Sequence, residues 1–346
     1  MGLTIVVTGG AGMLGSHLVQ RFVADGHAVR SLDLRATTDT GDFQQFVGDI
    51  RDPDLLSKVV NGADAVVHCA AALPSYPAEE IRSVIVGGTE NVVRASRRRE
   101  VERLVHISST AVYGLPKVLP TTERYPREPV DPYSRAKAEA EEVCEAARAT
   151  GMCVPMLRPK TFVGPGRMGL FSMLFEWAEE GHHFPVLGKG DVRIQMFAMD
   201  DLVDAVDTTL HANPDIANDT YNLAAAEFGT IRDDFQAVLD AAGHGKRVVS
   251  VPARPALSVL SLLERTKLSP VYGRLLHKLM ADSYVSIDKA RERLGFNPRL
   301  SNQDAILKTF QWWREERAAG NLRGGSGRTS RDPWRQGVLG LAKAFF

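Results

Sequence analysis

Short unbroken runs of apolar residues alternate along the first half of this chain with longer stretches whose apolar residues return every three or four positions. The first run, Leu3–Thr8, is continuous and β-prone, the pattern of a strand buried on both faces. Leu14, Leu18, Val19 and Phe22 then recur at helical spacing until Gly26 stops the helix. Ala28–Asp33 is the next strand, and similar runs return at Ala65–Ala70, Arg103–Ser108 and Cys153–Leu157. Helix-like stretches lie between them at Asp54–Val60, Ile81–Arg97 and Asp131–Ala149. This alternation predicts an α/β protein, a doubly wound parallel sheet of the Rossmann type.

After Arg158 the regularity fades and glycines and prolines punctuate Phe162–Gly190. Helices are expected at Met168–Glu180, Met199–Leu210 and Thr230–Ala242, with a short strand at Tyr221–Leu223. Ala256–Met280 is Leu-rich and interrupted by Ser269-Pro270, and Trp312-Trp313 closes the last expected helix. The expected division is a cofactor-binding domain over residues 1–160, with 195–225 returning to it. A smaller substrate-binding lobe takes 161–194 and 226–315, followed by a linker and amphipathic tail over 316–346. No internal repeat is visible.

With 346 residues the chain is long enough for one large or two joined domains. Its 42 Lys and Arg balance 42 Asp and Glu, so charge gives no argument for nucleic acid as a partner. Cys69, Cys144 and Cys153 have neither metal-ligand spacing nor a disulfide framework, which fits a reducing compartment and leads us to expect no metal. A strand beginning at Leu3 leaves no room for a signal peptide, and no apolar run is long enough to span a bilayer. The expectation is a cytoplasmic protein.

The chemistry concentrates in Tyr133-Ser134-Arg135-Ala136-Lys137. A Tyr and a Lys four apart share one helix face, so the ammonium can favour the phenolate and let the pair move a proton at a carbinol oxygen. Asp131-Pro132 suits an N-cap and first helical position, which puts Tyr133 in the first turn. Taken alone, the spacing describes a solvated helix face equally well. It needs a cofactor nearby, and Gly9-Gly-Ala-Gly12-Met-Leu-Gly15 supplies the context. The glycines follow a strand, open a helix and allow a pyrophosphate to approach the helix N-terminus. Asp33, at the end of the next strand, can accept from both adenosine ribose hydroxyls and would repel a 2′-phosphate, which favours NAD; Arg35 keeps NADP open. Asp49 suits either the adenine amine or a plain loop.

These residues make the chain resemble the extended short-chain dehydrogenase/reductases, the NAD-dependent epimerase/dehydratase group. Supporting matches run in order over most of residues 1–300. They are Gly48-Asp49-Ile50-Arg51-Asp52, His68-Cys69-Ala70-Ala71, Ser108 to Gly114, Leu157-Arg158-Pro159 with Gly164-Pro165, Asp200-Asp201-Leu202, Tyr221-Asn222-Leu223 and Leu294-Gly295-Phe296. The resemblance implies that Ser109 polarises the substrate oxygen, Tyr133 transfers the proton, and Lys137 binds the nicotinamide ribose and lowers the tyrosine pKa. It implies cofactor contacts from Gly9, Gly12, Met13, Leu14, Gly15, Asp33, Asp49, Ile50, Ala70, Ala71 and Lys137, and a homodimer.

Departures narrow the expectation. Dehydratases of the group carry an acidic pair where this chain has Thr110 and Ala111, so sugar dehydration is disfavoured. Val84–Thr89 lacks the group's Asn, and Thr161 replaces an Asn that often contacts a nucleotide-sugar. Thr110, Thr161 and Arg193 are the substrate-contact candidates, although Arg193 suits a surface salt bridge as well as a phosphate or carboxylate. Two small-molecule substrates stand side by side. One is a nucleotide-sugar of the UDP-hexose type, epimerised at a ring hydroxyl. The other, as in the 3β-hydroxysteroid dehydrogenase branch, is a hydrophobic lipid or steroid-like alcohol or ketone. The second draws on Thr161, on Ala256–Met280 and on the tail. There Trp334, Val338, Leu341 and Phe345 share one helical spacing near Arg335 and Lys343, a pattern for peripheral membrane contact, a disordered end or a partner-packed patch. A third class, a redox-sensing or scaffold protein that binds NAD without catalysis, is opposed by the retention of Ser109, Tyr133 and Lys137 together.

Overall fold

The computed structural model describes residues 2–37, 41–167, 169–253, 280–322 and 343. Two compact units divide the chain: residues 1–160, 200–223 and 286–297 form the first, and 161–199, 224–285 and 298–346 the second.

In the first unit seven strands form one sheet, all neighbours parallel. In chain order they are β1 (Thr4–Thr8), β2 (Ala28–Asp33), β3 (Gln44–Val47), β4 (Ala65–His68), β5 (Arg103–Ile107), β6 (Met156–Pro159) and, after three strands of the second unit, β10 (Thr220–Leu223). Across the sheet the order is β10-β6-β5-β4-β1-β2-β3. Consecutive strands run outward from β1 on one side, and the next strand in sequence starts on the other at β4. That reversal opens a crevice at the carboxyl ends of β1 and β4, the place where such sheets hold ligands. Val6, Val66, Leu104 and Met156 line one face and join Val92, Cys144 and Val154 in a hydrophobic core.

Helices follow the apolar spacing, with instructive differences. α1 (Met13–Ala24) and α2 (Pro53–Val59) lie close to their expected positions. The predicted helix Ile81–Arg97 is three pieces: α3 (Ala78–Arg82), a π-turn over Ser83–Gly87, and α4 (Gly88–Arg98). The predicted strand Cys153–Leu157 is displaced, because Pro155 has no N–H to give a ladder. Cys153 makes only a bridge to Arg103, and regular pairing begins at Met156. Strand β3 escapes the pattern altogether, being an edge whose Gln44 and Gln45 are exposed.

The segment 286–297, expected in the second lobe, belongs to the first unit. Its helix α10 (Asp288–Leu294) sends Lys289 to Asp219 at 2.7 Å and over the Tyr221 ring, and Arg293 also pairs with Asp219. Charge partners so far apart in sequence leave no periodic signal.

The second unit holds the pairs β7 (Phe162–Val163) with β9 (Phe197–Ala198) and β8 (Phe184–Leu187) with β11 (Val248–Val251). Around them pack α6 (Gly169–Glu179), α9 (Ile231–Ala242) and α11 (Asn302–Ala318), with Phe175, Trp177, Phe184, Phe235, Phe310 and Trp313 at the core. Trp312 and Trp313 do not close the last helix. A Ser301–Asp304 capping box starts α11 and it runs five residues past Trp313, to Ala318. The Leu-rich stretch (all but Met280) and the tail residues Trp334, Arg335, Val338, Leu341 and Phe345 lie outside the described residues.

On α9, Asp234 is fully buried. Asn302 Nδ2 donates to its Oδ2 at 2.9 Å, and among the described residues its Oδ1 has no partner. Burial pushes this carboxyl up to about 6, against the Asn302 bond, so the folded state holds the proton more tightly than the unfolded chain. Its stabilising effect is therefore complete below the ordinary carboxyl range and is lost as pH rises through about 6. Asp234→Asn keeps an acceptor for Asn302 without the buried charge. The variant should be about 1–2 kcal/mol more stable than wild type near pH 7.5, with the gap closing towards pH 4, in urea denaturation across pH.

Candidate active site

β1 ends at Thr8, and the chain turns at Gly9, whose φ of +71° lies in the left-handed region. Gly12 N–H donates to Gly9 O at 2.9 Å and hands over to α1, whose N-terminus has no side-chain cap. A Cβ on Gly15 would stand 2.0 Å from Gly9 O, so only glycine lets the helix lie so close to the turn. Met13 and Leu14 are buried beside it. The Asp33 carboxylate accepts from Ala11 N–H at 3.1 Å and from Arg35 N–H at 3.0 Å, which folds it back onto the glycine turn. After β4, Ala70 N–H donates to Thr8 Oγ1 at 3.3 Å, with Ala71 next in the chain.

The structure thus brings Gly9–Gly15, Asp33 and Ala70 together at one end of the sheet. An open helix N-terminus, a backbone cradle that side chains would fill and a ribose-height carboxylate are what a dinucleotide requires. Asp49 is differently placed. Arg51 grips its carboxylate through Nε at 3.0 Å and Nη2 at 2.5 Å, and these bonds hold the carboxyl below its usual range. Buried Ile50 packs where Gly88 leaves room.

The helix α5 (Pro132–Ala149) begins as Asp131-Pro132 predicts. Asp131 accepts from Ser134 N–H at 2.8 Å, while Ser134 Oγ accepts from Asp131 N–H at 3.0 Å. Tyr133 is half-buried in the first turn, against an apolar cluster of Ala72, Ile81, Ile85, Val86, Ala136 and Ala140. Lys137, one turn on, is buried and donates from Nζ to Ile107 O at 2.7 Å. Burial lowers its pKa to about 8, and Cys69, Glu141 and Cys144 oppose the fall.

The three hydroxyls after β5 differ in one respect that matters. Ser108 donates to Glu141 Oε1 at 2.5 Å, and Thr110 leans on Pro159 O at 3.4 Å. Ser109 Oγ accepts from Ala111 N–H at 3.1 Å and caps a 3-10 turn over Thr110–Tyr113. Among the described residues Ser109 gives its own proton to no acceptor. It is the hydroxyl free to donate.

A buried polar network escaped the sequence pattern. Arg158 donates to Glu141 through Nε at 2.8 Å and Nη2 at 2.6 Å, and through Nη1 to Tyr113 Oη at 2.7 Å. Tyr113 donates in turn to Asn222 Oδ1 at 2.7 Å. Burial works against the Glu141 charge, but the Arg158 bonds outweigh it and keep the carboxyl below its usual range. Only the position of Glu141, one turn after Lys137, was a signal. A second unforeseen chain runs from Thr8 Oγ1 through His68, at 2.7 Å, to Thr89 Oγ1 at 3.0 Å. Burial, then Lys137, push His68 down to about 3, so this imidazole stays neutral.

Of the substrate candidates, Thr110 lies in the first unit, and Thr161 and Arg193 in the second. Thr161 is exposed. Arg193 is exposed too, its guanidinium 4.7 Å from the Phe228 ring and 5.3 Å from the Tyr284 ring. Its backbone N–H donates to Asp282 Oδ1 at 2.8 Å, and among the described residues no carboxylate pairs with the guanidinium itself. Elsewhere His27, Asp207 and His211 bring ligand atoms within 4.8 Å of one another, and some of these atoms have other partners. His27 Nδ1 accepts the Leu3 N–H at 3.0 Å, and Asp207 faces Arg21 at 3.6 Å.

Residues 5–224 match the model of the NAD dependent epimerase/dehydratase family. The chain belongs to this family. Its members are enzymes of the extended short-chain dehydrogenase type that use NAD, and the glycine turn and Asp33 fit that cofactor. An uncharacterised protein of Sinorhizobium fredii is 35% identical, covering 98% of this chain and 85% of its own length. A 3 beta-hydroxysteroid dehydrogenase/Delta 5-->4-isomerase of Mycobacterium tuberculosis is 29% identical, covering 89% and 90%. A UDP-glucose 4-epimerase of Lactobacillus helveticus is 30% identical, covering 92% and 99%. Family members thus differ in substrate while sharing the cofactor. Among the described residues no helix is long and apolar enough to cross a membrane.

Proposed function

We propose that this family member is a nucleotide-sugar epimerase of the UDP-hexose type, with Ser109, Tyr133 and Lys137 at the reacting oxygen. The observation that carries the substrate is Arg193, an exposed guanidinium against Phe228 and Tyr284 with no carboxylate partner among the described residues, the state of a group that suits an anion. The 30% identical UDP-glucose 4-epimerase supports the same reading. Thr110 is assigned to the sugar.

Gly9, Gly12, Met13, Leu14, Gly15, Asp33, Ile50, Ala70 and Ala71 would hold NAD, with Asp49 reaching the adenine beside Arg51. Bound NAD supplies reversible hydride acceptance at its nicotinamide ring. The chain's own residues manage the proton. Ser109 donates its uncommitted O–H to the substrate oxygen. Tyr133 Oη would take the hydroxyl proton as the alcohol becomes a ketone and return it as the alcohol re-forms. Lys137 spends one N–H on Ile107 O and keeps two for the ribose and the tyrosine. In this reading the enzyme works as a cytoplasmic homodimer.

A second reading is favoured by the steroid dehydrogenase relative and by Thr161: net redox on a hydrophobic alcohol or ketone, with the 316–346 tail meeting a membrane. One experiment separates them. Denatured protein is assayed for released NAD, and native protein for UDP-glucose/UDP-galactose interconversion without added cofactor and for steroid-ketone reduction with NADH. Interconversion with tightly held NAD supports the epimerase; turnover of the ketone alone rejects it. Arg193→Ala should then raise KM for the UDP-hexose about 10–100-fold, with kcat changed much less. An unchanged KM removes Arg193 from the site.

A further inference from the structure

The Glu141 carboxylate is wholly buried and saturated with donors: Ser108 Oγ at 2.5 Å, Arg158 Nε and Nη2 at 2.8 and 2.6 Å, and Arg127 Nη1 at 3.3 Å. Burying an ion pair rarely gains stability over apolar residues of similar size. What this pair does gain is geometry. Lys137 and Glu141 are successive turns of α5, and their partners, Ile107 O and Ser108 Oγ, belong to successive residues of the β5 end. The helix that carries Tyr133 is therefore stitched twice to the strand that delivers Ser109. Beyond Ser109, Arg158 holds Tyr113 at the close of the 3-10 turn. Ser109 hangs between two anchored residues, and both anchors lead to Glu141.

We infer that Glu141 is a positioning residue, which through Ser108 and Arg158 fixes the Ser109 hydroxyl relative to Tyr133 and Lys137. This deepens the assignment of those three residues and rests on it. It does not depend on which substrate class is turned over. Ser108 is the linker to perturb, because its loss leaves the Glu141–Arg158 pair intact.

The test uses the full-length protein with NAD and whichever of the two substrate classes the wild type accepts. Ser108→Ala should lower kcat at least 10-fold, with KM and NAD affinity within about 2-fold of wild type, and Ser108→Thr should restore most of it. Glu141→Gln should lower kcat similarly and move the alkaline limb of the kcat profile to lower pH. The reason is that Lys137, faced also by Cys69, His68, His106 and Cys144, loses the anion that supports its charge. Ser108→Ala leaves that limb in place. Amide exchange over residues 107–114 should quicken in both variants, and it needs no substrate. Folded Ser108→Ala and Glu141→Gln proteins with wild-type kcat, pH profile and exchange overturn the inference. A fully active Tyr133→Phe enzyme instead overturns the underlying catalytic assignment, so the two failures are distinct.

Discussion

Tyr133→Phe should cut turnover by roughly 10²–10⁴-fold, the usual yield of a positioned acid–base group, while NAD binding and thermal unfolding stay at wild-type values. The ring's place is set by packing against Ala72, Ile81, Ile85 and Val86, and by a helix start that Asp131, Pro132 and Ser134 build without it. Phenylalanine keeps all of that and removes one oxygen. Stopped-flow turnover beside a cofactor titration makes the comparison. A variant that turns over at the wild-type rate removes Tyr133 from the chemistry. One that also fails to bind NAD shows a wider role than proton transfer.

Arg158→Met should destabilise the fold by about 3–5 kcal/mol, because it leaves Glu141 charged in a site with no access to water. Arg127 reaches the same carboxylate only at 3.3 Å and is shared with Glu145. Tyr113, whose hydroxyl burial pushes up to about 12, loses its donor as well. The double variant Glu141→Leu/Arg158→Met removes both charges and should recover most of the loss in urea denaturation. Equal stability of the single and double variants would mean that the uncompensated charge is not what costs the energy. The double variant should nevertheless remain slow in turnover, since the stitch to Ser108 is gone.

Much of this was visible in the chain before its structure. The glycine turn and the Asp131-Pro132 helix start are local devices, complete within a few residues, so their physics is written in consecutive letters. The parallel sheet was legible because strands buried on both faces must be apolar throughout. Edge strand β3 was not, since exposed glutamines carry no such mark. Pro155 hid the true start of β6 inside an apolar run. Glu141 was the deepest omission: its partners sit at Ser108, Arg127 and Arg158, and pairing across such separations is a property of the sheet, not of any window along the chain. The stacking of Arg193 on Phe228 and Tyr284 is hidden for the same reason.

Asn222 stands in the last strand of the sheet, yet its side chain closes the hydrogen-bond chain that begins at Glu141, and it also donates to Thr121 O at 3.2 Å. A ribosome emitting this chain therefore releases the nucleotide turn early and the lock on Tyr113 late. Until residue 222 has emerged, a nascent chain can shape its first strands and its glycine loop, and Arg158 can reach Tyr113, but the acceptor that completes the tyrosine's hydrogen bonds is still missing. Cofactor capture and catalytic competence would then arrive at different moments of synthesis.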